Sequence, residues 1–470
     1  MRLFPVLVTA TALLSAQQFD IVIHGGRVMD PESGLDAVRD VGIRGSKVAV
    51  ISTKSLKGKR QIDAKGLVVA PGFIDLHQHG QTPENYRLKA RDGVTTALEL
   101  EIGVSPVKDW IAAREGKTLV NFGASAGYIP ARMVVMKDTG AFLPRDKAIT
   151  EITTADDRGA ILKIIDRDLS DGGLGLGFGF NYTPKAGHDE LEDVFWLAAK
   201  WNRPSFIHMR YGSMGDPGLL ASLHEVIAYA AVTGAPVHVV HYGASSTVNF
   251  DKGIRTVEGA RKHGIDITLE AYPYTAGMTR IETAIFDEGW EKRLGIGPQD
   301  MLWAETGERL TPETFAKYRK TGGWVATFTN TEEMIRKNMA HPWIMIASDG
   351  ILENGKGHPR VSGTYARVLG RYVREQKALT LMEAIRKMSL MPAQRLEKMS
   401  PAMRAKGRVR VGADADLSLF DPNTVIDKSD YSKPDTPSEG IPYVLVNGVV
   451  VVDQSKVVDG VLPGHPVRAK

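Results

Sequence analysis

The sequence predicts an α/β fold, a (β/α)8 TIM barrel with a small β-sandwich formed from both chain ends. Short apolar runs alternate with helical stretches across residues 71–404, and turn-punctuated alternating strands fill the two ends. Four histidines and one aspartate fall where barrel strands finish, the end of the fold at which active sites are built.

Size and composition suit that reading. A chain of 470 residues holds one large barrel plus a smaller partner. Apolar residues at 43% and charged residues at 24% match soluble globular chains, which argues against disorder and a polytopic membrane protein. A formal charge of +4, set against 59 basic and 55 acidic residues, comes with no basic run interleaved with aromatics, so nucleic acid is not an expected partner. With no cysteine, disulfides, cysteine nucleophiles and thiolate ligands are excluded, and any metal must be held by His and carboxylates.

Taken in order, residues 1–16 (MRLFPVLVTATALLSA) place one Arg ahead of an apolar stretch too short to span a bilayer and end in small residues. This predicts a cleaved signal peptide, export to the periplasm or medium, and no stable membrane span afterwards. Residues 17–70 read as antiparallel strands broken by Gly-Gly, Gly-Ser and Lys-Gly turns, and residues 405–470 repeat the pattern with a hairpin signal at Asn447-Gly448. The two blocks are expected to pair into the sandwich. Between them FIDLHQH, GVTTALELEI, GLGLGFGF, RPSFIHM, APVHVVHYG, DITLEAYPY, GWVATF and WIMIASDG read as eight buried parallel strands. Residues 279–323 are long for a barrel connection and are expected to form a lid over the mouth.

His77 and His79 are separated by one residue, so on an extended strand both imidazoles project from one face. His208 and His241 end the RPSFIHM and APVHVVH strands, and Asp349 ends WIMIASD. A lone buried His is ordinarily a satisfied core residue. Five such groups at one barrel mouth predict a metal site instead. His238, three residues before His241, is expected to face away and pack, while His24, His188, His224, His263, His341 and His465 lack strand-end placement.

At these residues the sequence resembles the amidohydrolase superfamily, through GFIDLHQH, the flanking β blocks and the closing Asp. GVTTALELEIGVSP, FIHMRYG, EAYPYTAGMT, and ASDGI followed by HPRVSGTYARVLGRYVRE narrow the resemblance to the N-acyl-D-amino-acid deacylase (D-aminoacylase) branch, over nearly the whole mature chain. It implies that His77 and His79 serve one metal position, His208 and His241 the other, and that Asp349 is the catalytic carboxylate. Tyr272 and Arg360 match the residues that contact the substrate's carboxylate. The cysteine that commonly bridges the two positions in that family has no counterpart, and no lysine in GLGLGFGF replaces it. Glu101, adjacent to the position of that cysteine, is the expected bridge, with Glu99 on the same face as the alternative. The family's lysine beyond the sixth-strand His is Gly243, and a serine after YPY is Met278.

The resemblance therefore implies metal-dependent hydrolysis of an amide, deacylation of N-acyl-D-amino acids, with one or two zinc ions as cofactor. Water is the nucleophile and Asp349 the general acid and base. A small N-acyl amino acid or related amide is the expected partner, and a homo-oligomer stays open. A dipeptidase or cyclic-amide hydrolase on the same centre is the alternative, followed by a non-catalytic exported binding protein.

Overall fold

The structure is a computed structural model that describes residues 18–212 and 217–470. The signal peptide expected at residues 1–16 lies outside the described residues. Eight parallel strands follow one another in chain order around the barrel wall. They are β1 (Phe73–Asp75), β2 (Val94–Val104), β3 (Asn121–Gly127), β4 (Leu176–Gly179), β5 (Ser205–His208), β6 (Val237–Val239), β7 (Ile267–Ala271) and β8 (Ile344–Ile346). Helices between them cover the outside. In His188–Lys200, for example, Leu191, Val194, Phe195 and Ala198 are buried at the i, i+3, i+4, i+7 spacing of an apolar stripe.

Two of the sequence-based strand assignments need correction. GWVATF is not a barrel strand: Trp324–Thr327 pairs antiparallel with Gly277–Arg280 and Met301–Trp303 in a separate three-stranded sheet between β7 and β8. A short apolar run looks alike in both settings, so hydropathy alone does not separate them. The missing wall strand is β3, whose sequence NFGASAG has little β propensity and reads as loop. Its small residues answer a spatial demand, because a Cβ on Gly103 of β2 would lie 2.8 Å from the Gly127 Cα. The two errors offset each other, leaving the count at eight.

The ladder runs from β1 to β8, and the seam between those two strands is closed by a side chain and, just beyond the strand ends, by backbone bonds that include the His79 and Gly80 N–H groups to the Gly350 carbonyl. Asp75 Oδ1 accepts the backbone N–H of Ser348 at 3.0 Å and of His77 at 3.2 Å, while Ser348 Oγ donates to Asp75 Oδ2 at 2.5 Å. Lys89 Nζ lies 2.9 Å from the same Oδ2, both side chains fully buried. Above this clamp the Asp349 N–H donates to the His77 carbonyl at 2.7 Å.

The chain ends meet in one continuous nine-stranded sheet, where Leu417–Phe420 pairs antiparallel with Val68–Pro71. Its apolar cluster draws Ile21, Val41 and Ile43 from one end and Leu417 and Leu445 from the other. Asn447 and Gly448 both take positive φ, 48° and 77°, as a two-residue hairpin turn requires. The sheet is tied to the barrel at β3, where Asn121 Nδ2 donates to Asp416 and its carbonyl accepts from Asn447 Nδ2 at 2.8 Å.

Replacing Lys89 with Met would leave Asp75 buried without its cation, a change that typically costs about 3–5 kcal/mol. Urea unfolding of the variant should show a correspondingly lower midpoint, and an unchanged midpoint would contradict the clamp.

Candidate metal centre

The strand ends bring all of the sequence-predicted metal and catalytic residues to one mouth. Glu101 stands at the middle. Its Oε2 lies 3.1 Å from His77 Nε2 and 3.0 Å from His79 Nε2, and its Oε1 lies 2.9 Å from His208 Nδ1 and 3.0 Å from His241 Nε2. Asp349 Oδ1 approaches both His77 Nε2 and His79 Nε2 at 3.3 Å. Two donor groups result, one of His77, His79, Glu101 and Asp349, the other of Glu101, His208 and His241.

Backbone irregularity aims these side chains. On β2 the pairing with β3 jumps from Glu99↔Ala124 to Val104↔Ala126, so residues 100–103 stand opposite Ser125 alone. This bulge turns Glu101 into the mouth. It also separates the roles of the two glutamates that strand alternation had left equivalent. Glu99 meets the far nitrogen of His79, with Oε2 2.8 Å from Nδ1, and stands outside both donor groups. His241 and Asp349 hold φ of 33° and 54°, left-handed values that non-glycine residues adopt at a cost and that cluster at functional sites.

Arg360 and Tyr272 meet beside Asp349. Arg360 Nη2 lies 2.9 Å from Asp349 Oδ2, and its guanidinium sits 4.7 Å from the Tyr272 ring centroid. Its Nε and Nη1 are buried with no hydrogen-bond partner. Both residues border an open cleft of about 1050 Å³ whose other walls include Phe142, Met278, Ile285, Phe286 and Trp324. The last four come from the segment between β7 and β8, and Ile285 and Phe286 among them belong to the 279–323 stretch. Gly243 does not line the cleft: a Cβ there would point at Asn338.

Sequence reasoning missed Glu270, and it set His238 aside as packing. Glu270 Oε1 lies 2.6 Å from His77 Nδ1, and Oε2 lies 3.2 Å from His238 Nε2. His238 is buried in a polar network as well as against the Phe206 ring. The available signal was a Glu inside the apolar run DITLEAYPY, since a buried carboxylate requires partners. Among the described residues, the six histidines lacking strand-end placement lie outside both donor groups.

The electrostatics fit a cation. Burial opposes charge on His77, yet Asp349, Glu101 and Glu270 overcome it and raise its pKa to about 10. His79 behaves alike, burial being outweighed by Glu99, Asp349 and Glu101, which lift it well above its ordinary value. Against burial, Arg360 and His77 hold Asp349 well below the usual carboxylate range. Once the imidazoles give up these protons, their nitrogens and the carboxylate oxygens, about 3 Å apart, form a donor set that a divalent ion completes.

A (β/α)8 barrel with four imidazoles and two carboxylates converging at its C-terminal mouth defines the class of metal-dependent hydrolases. Residues 60–288 and 246–452 match the amidohydrolase family, and the chain belongs to it. It is 29% identical to N-acyl-D-glutamate deacylase of Alcaligenes xylosoxydans xylosoxydans, over 93% of this chain and 95% of that one. The crystal structure of N-acyl-D-glutamate deacylase from Bordetella bronchiseptica, complexed with zinc and a phosphonate mimic of the tetrahedral intermediate, is 27% identical. It superposes with a TM-score of 0.82 over 96% of this chain and 100% of that one. A D-aminoacylase structure with a binuclear metal centre has 26% identity and a TM-score of 0.80, over 96% and 100% of the two chains.

The raised His77 pKa has a measurable sign. A folded value of about 10, above the ordinary 6.5, gives stability that is fully present below pH 6.5 and is lost as pH rises toward 10. In metal-stripped protein, the stability advantage of the wild type over His77→Asn should therefore shrink across that interval. A difference independent of pH would contradict the charge assignment.

Proposed function

We propose that the protein deacylates N-acyl-D-amino acids at a centre of one or two zinc ions held by His77, His79, Glu101, His208 and His241. The observation that carries this reading is Glu101, which offers one oxygen to each histidine pair. Zinc suits imidazole and carboxylate ligands where no thiolate exists and no redox step is needed. When bound, a divalent ion polarises the scissile carbonyl and lowers the pKa of the attacking water.

The side chains divide the remaining work. Asp349, kept ionised by Arg360 and His77 against burial, receives the water's proton and delivers it to the departing nitrogen. Arg360 Nη2 steadies Asp349, while the unpartnered Nε and Nη1 are free to take the substrate's α-carboxylate, an anion that matches a guanidinium fork. Tyr272 lies against that guanidinium and limits its orientation. Similarity to deacylases named for N-acyl-D-glutamate and for D-amino acids supports the acyl substrate and its hand. A panel of N-acyl-D-amino acids, N-acyl-L-amino acids and dipeptides tests the substrate class, and turnover confined to dipeptides would overturn it.

Elemental analysis separates the two glutamates. Glu101→Ala should lose most of its zinc and activity, whereas Glu99→Ala, which removes only a partner of His79, should keep most of the metal. The reverse order would make Glu99 the bridge.

Asp349→Asn should retain the fold and much of the metal while kcat falls about 10²–10⁴-fold, the usual contribution of general acid/base catalysis. Arg360→Ala should raise KM more than it lowers kcat, because a carboxylate is held in the ground and transition states alike. Near-normal turnover by Asp349→Asn on the best amide substrate would be incompatible with the mechanism.

A further inference from the structure

Within the barrel, directly beneath the donor groups, a chain of polar side chains crosses from β7 to β6 and on to β1. Thr268 and Glu270 lie two residues apart on β7 and so share a face. Thr268 Oγ1 lies 2.7 Å from His238 Nδ1, and His238 Nε2 lies 3.2 Å from Glu270 Oε2. Glu270 Oε1 lies 2.6 Å from His77 Nδ1 and also accepts the backbone N–H of His241 at 3.4 Å. His77, His238 and Glu270 are at most 1% exposed, so no bulk solvent substitutes for any of these contacts.

We infer that Glu270, oriented by His238, is a positioning residue that fixes His77 and the His241 turn so that both donor pairs face Glu101. This rests on the metal reading above. A ligating imidazole must present a bare nitrogen, and His77 Nε2 is the one turned toward Glu101 and Asp349. Its proton must then sit on Nδ1, where Glu270 Oε1 receives it as a hydrogen bond. Such carboxylate–histidine pairs set the tautomer, ring orientation and basicity of the ligand.

The same oxygen reaches the second pair through main chain. His241 sits in the left-handed region, and its N–H is held by Glu270 at the point where the chain leaves β6. One carboxylate thus braces the His77 side of the site by a side chain and the His241 side by a peptide group. His238 completes the arrangement. Burial lowers its pKa and keeps it neutral, which leaves one N–H to donate to Glu270 and one lone pair to accept from the Thr268 hydroxyl. The direction of every hydrogen bond in the chain is then determined, from Thr268 to His238 to Glu270 and from His77 to Glu270.

The test measures zinc affinity by competition with a chelator of known strength, separately from activity. Glu270→Gln should weaken zinc binding about 10- to 100-fold, the span typical of removing such a partner. His238→Leu, which deletes the donor to Glu270, should weaken it in the same direction, and His238→Gln, whose amide still donates, should restore most of the loss. That rescue is not expected of a role confined to filling space. The His238 pair decides the matter if Glu270→Gln does not fold. Wild-type zinc affinity in folded Glu270→Gln, or equal affinity in His238→Leu and His238→Gln, overturns the inference while leaving the metal reading intact. Failure of the wild type itself to bind zinc removes both.

Discussion

The functional site is organised around a buried carboxylate with an imidazole pair on each side. Glu101 is 3% exposed and lies between the histidine pairs at the barrel mouth. Burying an anion there is costly unless opposite charge and hydrogen-bonding groups surround it. The structure surrounds it with His77, His79, His208 and His241, each from a different position on the rim. Glu99 and Glu270 then face the outer nitrogens of His79 and His77, while Asp349 approaches the inner nitrogens of both. The excess of anion over fixed cation is a property of the whole constellation, so no member can be understood as a separate substitution site.

Convergence at this accuracy demands that the barrel be closed where the donors emerge. β1 and β8 are the first and last strands of the wall, and they supply His77, His79 and Asp349 just beyond their ends. The Asp75 clamp holds them at one level, and the Asp349 N–H on the His77 carbonyl holds them one step higher. Asp349 adopts its left-handed backbone at that second contact, so closure of the fold and placement of its carboxylate are one structural event. The preference of barrel enzymes for chemistry at this face follows here from geometry.

Much of this was legible in the residues. The His-x-His spacing, the strand-end His208 and His241, and the terminal Asp349 identified the mouth because strand periodicity converts spacing into direction. β3 was not legible, since a wall strand selected for closeness to its neighbour carries glycine and alanine instead of β-branched residues. The distinction between Glu99 and Glu101 was hidden for a related reason. It arises from a bulge, and a bulge breaks the alternation from which strand faces are read. Glu270 was hidden in an apolar run, where only its charge marked it. What escaped the sequence was therefore information about approach distances and register, which are properties of strand pairs and not of single strands.

The architecture also separates chemistry from recognition. The donors come from β1, β2, β5, β6 and β8, locked together by the buried network and the seam. Met278, Ile285, Phe286 and Trp324, which shape the cleft, come from the segment between β7 and β8, and the three-stranded sheet that carries Met278 and Trp324 makes no ladder with the barrel. The contact between that sheet and the donors is indirect, through Phe142, whose ring lies between Trp324 and His79. Arg360 joins the two parts, because it borders the cleft while its guanidinium holds Asp349. In the mechanism proposed above, substrate charge and proton transfer are coupled through that one side chain. A substrate without a carboxylate would leave Nε and Nη1 unpaired next to the reacting Asp, and the penalty would fall on catalysis as well as on binding.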